Sequence, residues 1–545
     1  MTTASNNRQP LGGQHFQVAV IGGGIIGVAI ARECARAGKR TLLVEQLDFG
    51  SGTTSRTSRM ISSLRVLEQN DLGQAREMLR ERDRLVRERS HLVCPAHFLM
   101  AVPQDSPRSS MTLRAGLWLY RKMVGGRIDA AGFELERKKL ERALDAGRKW
   151  SLFEYEDAQC EFPERMVAEW LTEAMHAGAV VRNHMQVLGV DIGNGRARGL
   201  LLRDWHSNRE EKIEATWIVN ATGPWADRFC QRSSIKLRTP MVSGVRGSHI
   251  VVSRFPGAPD TGVYSEGADG RPLHILPWND QILVGATEVA DNSDPSKTIP
   301  SLDEIEYLMQ SLIRLFPKSR LSPHDVRHAF AGIQGHPYEA KTEPSKLSWR
   351  YEIHDHESAG VARMFSVVGG SLATAASAAR DCAAKLGIRA GASKGATAVD
   401  GDTIQPLIDH WTSELATVGC IGEDSARAIV EWHGQRAEQI ARMARSSVEL
   451  RTPLCPHSQH IVAEAVNAYV HEGALTLADV LLRRVPVALG ACWSEACSRE
   501  AALRIGAVVG WTDEIAGANL EAFEMERTSF LRRPRTGMKL EAAAD

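Results

Sequence analysis

The chain has 545 residues, too many for one ordinary core, so two or three domains are expected. Its residues are 43% apolar and 24% charged, the balance of a soluble globular protein, and Lys plus Arg equals Asp plus Glu at 66 each. That neutrality lacks the basic surplus of a nucleic-acid binder, although a local basic pocket for a small anion stays open. The first fifteen residues are polar and do not read as a signal peptide, and no run approaches the roughly 18–20 apolar residues of a membrane helix. Nine cysteines are scattered without a CxxC pair or zinc spacing; Cys492 and Cys497 are the closest two. Reduced, buried thiols in a cytoplasmic compartment are expected, with no metal site.

In chain order, Phe16–Ile21 is an apolar, β-branched run that predicts a buried parallel strand. Gly22, Gly24 and Gly27 follow in a GxGxxG spacing, and a helical pattern runs from Ile25 to about Ala37, with Gly38 as its stop. A second strand, Arg40–Val44, ends on Glu45. Gly22 permits the tight turn, Gly24 lets a pyrophosphate approach the backbone, and Gly27 lets helix and strand pack closely. The unpaired N–H groups at the helix start attract the anion, and Glu45 can accept from ribose hydroxyls while repelling a 2′-phosphate. This βαβ unit predicts a bound dinucleotide and leaves its identity open between FAD and NAD.

Gly50–Arg59 is rich in hydroxyls and carries Arg56 and Arg59, which suits a loop closing over a cofactor or an anion. Thr216–Asn220 reads as a strand ending in Ala221-Thr222-Gly223, a small, turning end of the kind ligands require beyond an α/β sheet. Leu237–Ala290 alternates strands with Pro, Gly and Asp turns and predicts an antiparallel sheet. Met364–Gly369 predicts a further strand, followed by Gly370, Ser371 and Leu372 at a helix start whose N–H groups can meet a second polar part of the ligand. Gly391–Thr397 reads as a linker, and from about Pro406 apolar residues recur at helical spacing. Arg483 and Arg484 read as a solvated helix end.

These segments, with Thr53-Thr54-Ser55, Asn220-Ala-Thr-Gly-Pro-Trp225, Gly247-Ser-His-Ile-Val-Val252 and Gly369-Gly370-Ser371, resemble FAD-dependent glycerol-3-phosphate dehydrogenase, of the D-amino-acid-oxidase-like flavoproteins, over nearly the whole chain. The resemblance decides FAD over NAD. It implies a Rossmann-like α/β FAD-binding domain from residues 16–90, 160–235 and 355–395, an α+β substrate domain with an antiparallel sheet from 91–159 and 236–354, and an all-α C-terminal domain at 400–535. Expected cofactor contacts are Gly22, Gly24, Ile25, Ile26, Gly27, Glu45, Gln46, Thr53, Thr54, Ser55, Val187, Ala221, Thr222, Gly223, Gly369, Gly370, Ser371 and Leu372.

The resemblance also implies a chemistry. His249 is the expected base for an alcohol proton, since a histidine titrates near working pH, and Arg56 and Arg59 are expected to hold an anionic substrate or shape the flavin site. Hydride would pass from a small polar alcohol to the flavin, and the electrons onward to a quinone or another acceptor. A cytoplasmic location, a peripheral contact with the inner face of the cell membrane and a homodimer are compatible with it. The sequence departs from the family at three places: Gln334 and Ser371 stand where the family has Arg and Lys, and Ser62-Ser-Leu-Arg65 replaces a longer His-Gly-Gly-Leu-Arg segment. His336, Lys341 or Arg271 are the local cations that would compensate. A flavin oxidase or dehydrogenase of specialised metabolism acting on another alcohol or amine, and a non-catalytic flavin-binding protein, are the competing readings.

Overall fold

The structure is a computed structural model that describes residues 9–69, 71–106, 110–124, 130–267, 269–388 and 404–531. The Gly391–Thr397 linker expectation lies outside these residues. Two sheets organise the first part of the molecule. In the first, Met364–Gly369, Glu210–Asn220, His15–Ile21, Thr41–Val44 and Val180–Arg182 are parallel neighbours in that order. Tyr351–Asp355 adds an antiparallel edge, and Met185–Gly193 with Arg196–Asp204 extends the sheet as an antiparallel ribbon.

The strand His15–Ile21 (β1) is buried through Ile21 from Phe16 on, apart from Gln17, as its unbroken apolar run requires. The helix Ile25–Arg36 (α1) starts at Gly24 without a side-chain cap and ends before Gly38, whose φ of 75° stops it. It packs on the sheet through Val28, Ile30 and Ala31, all fully buried. Strand Thr41–Val44 (β2) returns beside β1 in register, Ile21 opposite Val44.

The second sheet has nine strands, among them Val93–Pro103, Trp150–Cys160, Val242–Ser253 and Val326–Pro337, together with the two-residue strand Met60–Ile61. It is antiparallel except for one pair: Gly262–Tyr264 runs parallel to Phe98–Met100. Between these two strands the chain passes through the strands of the first sheet from Val180 to Asn220, so no hairpin forces the pair to be antiparallel. From residue 404 to 530 the described chain is helical.

The helical region is joined to the flavin sheet through a seam of buried charge, and here one expectation is corrected. Arg483 and Arg484 are 4% and 1% exposed, not a solvated helix end. Asp48, just beyond β2, accepts from Arg484 Nη1 and Nη2 at 2.7 and 2.8 Å and also pairs with Arg483. Arg483 further reaches Asp479 at 3.2 Å and Glu526 at 2.5 Å. Arg165 links Glu472 to the carbonyl of Arg484. Two adjacent arginines on a helix can be read as solvated only when their partners, 435 residues away in sequence, are unseen.

Candidate flavin and substrate crevice

The carboxyl ends of β1, Glu210–Asn220 and Met364–Gly369 open onto a cavity of about 720 Å³. Open α/β sheets bind ligands at this end. Gly22 takes a φ of 103°, and a side chain on it would collide with the Ala221 carbonyl. At Gly27 a Cβ would collide with the Gly22 carbonyl, so the close crossing of α1 over β1 needs both glycines. Gly24, Ile25 and Ile26 line the cavity, and α1 has neither a capping side chain nor an acid in its first turn. The positive end of the helix is therefore presented to the crevice, where a pyrophosphate fits.

Glu45 also lines the cavity. Its Oε2 accepts from Gly23 N at 2.7 Å and its Oε1 from Leu47 N at 2.9 Å, which fixes the carboxylate beside the glycine turn. Withdrawal from bulk water pushes its pKa up, against these two amide hydrogen bonds. Gln46, Val187, Ala221, Thr222 and Gly223 line the same end, and Gly369, Gly370, Ser371 and Leu372 the opposite wall. The helix expected to follow them begins only at Ala375, because Ser371 N is turned onto Thr374 Oγ1 at 2.8 Å. The glycine cradle, the start of α1 on the crevice and the Glu45 carboxylate beside the glycine turn fit a long dinucleotide.

The hydroxyl loop does more structural work than its composition suggests. It winds into a short helical turn at Thr53–Arg56. Thr54 Oγ1 accepts from Ile25 N at 3.1 Å and Thr53 Oγ1 donates to the Ile333 carbonyl at 2.7 Å, tying α1 to the second sheet. Thr53 and Thr54 line the cavity; Ser55 is buried behind it and donates to the carbonyls of its own turn. Arg56 lines the cavity but bonds the carbonyls of Ser51 and Gly52 and lies under Phe530, 4.8 Å from the ring centre. Burial pushes its pKa down to about 10, so it remains charged at neutral pH. Arg59 is a correction: it is fully buried outside the cavity lining, paired with Glu164 at 2.6 Å and placed over Trp278, so its guanidinium is turned away from the crevice.

His249 lies on Val242–Ser253, opposite Phe330 of Val326–Pro337. Strand alternation sends Val245, Gly247 and His249 to one face, with their partners Gln334, Gly332 and Phe330. Five of these six line the cavity, Phe330 being the exception, and His336 joins them from the end of its strand. Gly247 faces Gly332, so the floor between His249 and Gln334 carries no side chain. The His249 ring stacks on Phe330 at 5.0 Å, and its Nε2 is 2.9 Å from Ser58 Oγ. Burial, helped by the Arg59 guanidinium and the neighbouring His274, pushes its pKa down to about 3, so the ring is neutral at physiological pH.

The anionic end of the crevice was only partly legible. Arg65 lines it and grips Glu288, with Nη2 to Oε2 at 2.6 Å, and stands over Trp349 at 5.8 Å. His336 Nδ1 donates to the Ser348 carbonyl at 2.9 Å, with Arg65 and Glu288 close enough to perturb its titration, although burial is the larger effect and lowers its pKa. Of the three compensating cations considered, His336 alone lines the cavity; Arg271 is paired with Asp269 at the surface and Lys341 is exposed outside it. Gln334 and Ser371 do face the crevice. Arg65, Glu288 and Ser58 are the residues that motif reading passed over. Arg65 was visible in the Ser-Ser-Leu-Arg segment; Glu288 carried no signal, because its partner is 223 residues away.

A dinucleotide crevice shared by a parallel sheet and a second sheet bearing a buried histidine defines a flavoprotein oxidoreductase. Comparison with known proteins agrees. The FAD dependent oxidoreductase family matches residues 17–347, and the C-terminal domain of alpha-glycerophosphate oxidase matches residues 391–516. A glycerol-3-phosphate dehydrogenase of Synechocystis sp. is 30% identical over 498 residues, covering 87% of this chain and 89% of that one. One from Mycobacterium leprae is 28% identical over 518 residues, 92% of this chain and 86% of the other. The crystal structure of the Bacillus halodurans glycerol-3-phosphate dehydrogenase complexed with FAD superposes with a TM-score of 0.75 at 20% identity, covering 95% and 96% of the two chains. The chain belongs to the FAD-dependent glycerol-3-phosphate dehydrogenase family. It is an FAD-dependent oxidoreductase acting on the CH–OH group of a small polar substrate. Among the described residues no helix is long and apolar enough to cross a membrane.

Proposed function

We propose that the protein oxidises the secondary alcohol of a short phosphorylated polyol, with glycerol 3-phosphate as the first candidate. The observation that carries this reading is the glycine-floored slot with His249 at one end and the Arg65–His336 pair at the other, opening on the dinucleotide cradle. FAD held by the cradle would supply the acceptor for the hydride of the alcohol carbon, with a quinone or another compound as the final electron acceptor.

The remaining roles fall to the chain. His249, neutral at working pH, takes the hydroxyl proton at Nε2, the nitrogen that Ser58 Oγ already approaches. Phe330 holds the ring in plane from behind. Arg65 stands at the phosphate end with both Nη atoms on Glu288 and its guanidinium over Trp349, so an incoming phosphate shares the guanidinium with that carboxylate. A charge-assisted hydrogen bond of this kind contributes about 1.5–3 kcal/mol, which lets Arg65 offset Gln334 at the position of the family's arginine. Gly332 keeps Arg56 in place, since a Cβ there would come within 2.7 Å of the Arg56 Cβ.

A D-erythritol 1-phosphate dehydrogenase of Brucella abortus is 31% identical over 364 residues, 70% of its length. The shortened side chains at Gln334 and Ser371 leave room for one more carbinol, so a four-carbon polyol phosphate is the second substrate to test. The experiment is anaerobic mixing of the yellow holoprotein with each compound, followed at the flavin absorption bands. Rapid bleaching by glycerol 3-phosphate, and not by glycerol, supports the reading. Bleaching by amines or unphosphorylated alcohols alone would replace it.

A further inference from the structure

Outside the crevice, the helical region gathers soft ligands that the sequence leaves far apart. The loop from Pro453 to Ile461 closes on itself through a β-bridge between those two residues and a hydrogen bond from Leu454 N to His460 O at 2.8 Å. This fixed loop presents Cys455 and His457. Across from it, the helix Glu495–Val509 begins at the capping residue Ser494, which places Cys497 in the first turn. The ligand atoms of Cys455, His457 and Cys497 lie within 4.8 Å of one another, with Cys497 Sγ 4.0 Å from His457 Nδ1. Cys492, on the approach to the same helix, lies beside the cluster, its carbonyl accepting from Cys497 Sγ at 3.7 Å.

We propose that Cys455, His457, Cys492 and Cys497 form a structural site for a thiolate-preferring divalent transition metal, zinc by class. Tetrahedral zinc with bonds of about 2.3 Å to sulfur and 2.0–2.1 Å to nitrogen sets its ligand atoms roughly 3.5–3.8 Å apart, so Cys497 and His457, at 4.0 Å, need to close by a few tenths of an ångström and the group as a whole by about 1 Å at most. Three sulfurs and one imidazole fill a four-coordinate shell with no open position, as structural rather than catalytic sites do. Cys455 is buried while His457 and Cys492 are exposed, so the ion enters from solvent.

The location suggests what the metal holds. The segment just before Cys492 docks on the second sheet: Gln281 Nε2 donates to the Leu489 carbonyl at 3.1 Å, and Arg327 Nη2 donates to that of Ala491. From the other side, Arg504 of the helix donates to the Pro453 carbonyl. A metal joining the loop to the helix start would lock the segment that carries the C-terminal region against the substrate sheet.

The test uses full-length holoprotein produced in zinc-supplied medium, purified without chelator and analysed by plasma mass spectrometry. About one zinc per chain is expected. Cys455→Ser and Cys497→Ser should lose it while keeping the flavin spectrum, which reports that the fold survives. His457→Ala, a change at an exposed residue, should hold zinc more weakly in competition with a chromogenic chelator. A metal-free wild-type protein, a disulfide between any two of the three cysteines on non-reducing peptide mapping, or unchanged zinc in both serine variants would each overturn the proposal.

Discussion

Asp48 sits three residues beyond Glu45 and receives both Arg483 and Arg484 with no exposure to solvent. Asp48→Asn keeps the volume but removes the charge. Arg483 retains Asp479 and Glu526, whereas Arg484 loses its carboxylate and is left with neutral acceptors, the Glu472 carbonyl at 3.0 Å and the new amide oxygen. Breaking a fully buried pair from one side costs about 3–5 kcal/mol, because the surviving charge stays desolvated. With an unfolding entropy of about 2.1 cal/mol/K per residue, a chain of this length shifts by roughly 1 °C per kcal/mol, so the melting temperature should fall by roughly 3–5 °C. Thermal melts followed in parallel by tryptophan fluorescence and flavin release measure it. Both signals should move together, since the seam joins the helical region to the strand end that carries Glu45. Asp48→Asn combined with Arg484→Met should cost less than the two single changes summed. A shift below about 2 °C for Asp48→Asn, or strict additivity in the double variant, would refute the claim that this seam couples the two regions.

His249→Gln should slow flavin reduction about 10²–10⁴-fold in anaerobic stopped flow with flavin content unchanged; wild-type rates would exclude His249 as the base. The low pKa of His249, about 3 in the fold, has a stability consequence. The unfolded chain binds the proton below about 6.5 and the native one does not, so stability is lost as pH falls from about 6.5 toward 3, and His249→Gln should flatten that limb in acid denaturation. Glu464, held at about 2 by His460 and His433 against its burial, adds stability present above about 4.3 and lost as pH falls toward 2; Glu464→Gln should remove that second limb. Arg65→Met should weaken binding of a phosphorylated polyol by roughly 10–150-fold while barely changing binding of its unphosphorylated analogue, read from the concentration dependence of flavin bleaching. Gly27→Ala should yield colourless protein, and full flavin occupancy in that variant would displace the pyrophosphate from the start of α1.

The dinucleotide cradle was legible because every part of it is local. Strand, glycines, helix and Glu45 lie within about thirty residues, and backbone geometry alone sets their relation. His249 was legible through its motif, and strand alternation then put it on the cavity face beside Gln334. Arg59 was misplaced by the same local reading: it shares a loop with Arg56, yet a left-handed backbone, with φ of 62°, turns its side chain inward to Glu164 rather than to the crevice.

Sequence by itself therefore determined the cofactor-binding unit and the class of chemistry, since short-range spacing and strand periodicity encode both. Tertiary structure alone decided which charges are available to a substrate and which are sealed in the core. Arg65 with Glu288, Arg483 and Arg484 with Asp48, and Cys455 with Cys497 are partners across 223, 435, 436 and 42 residues. A charge or thiol acquires its role from what packs against it, and that is settled only when distant segments share one interior.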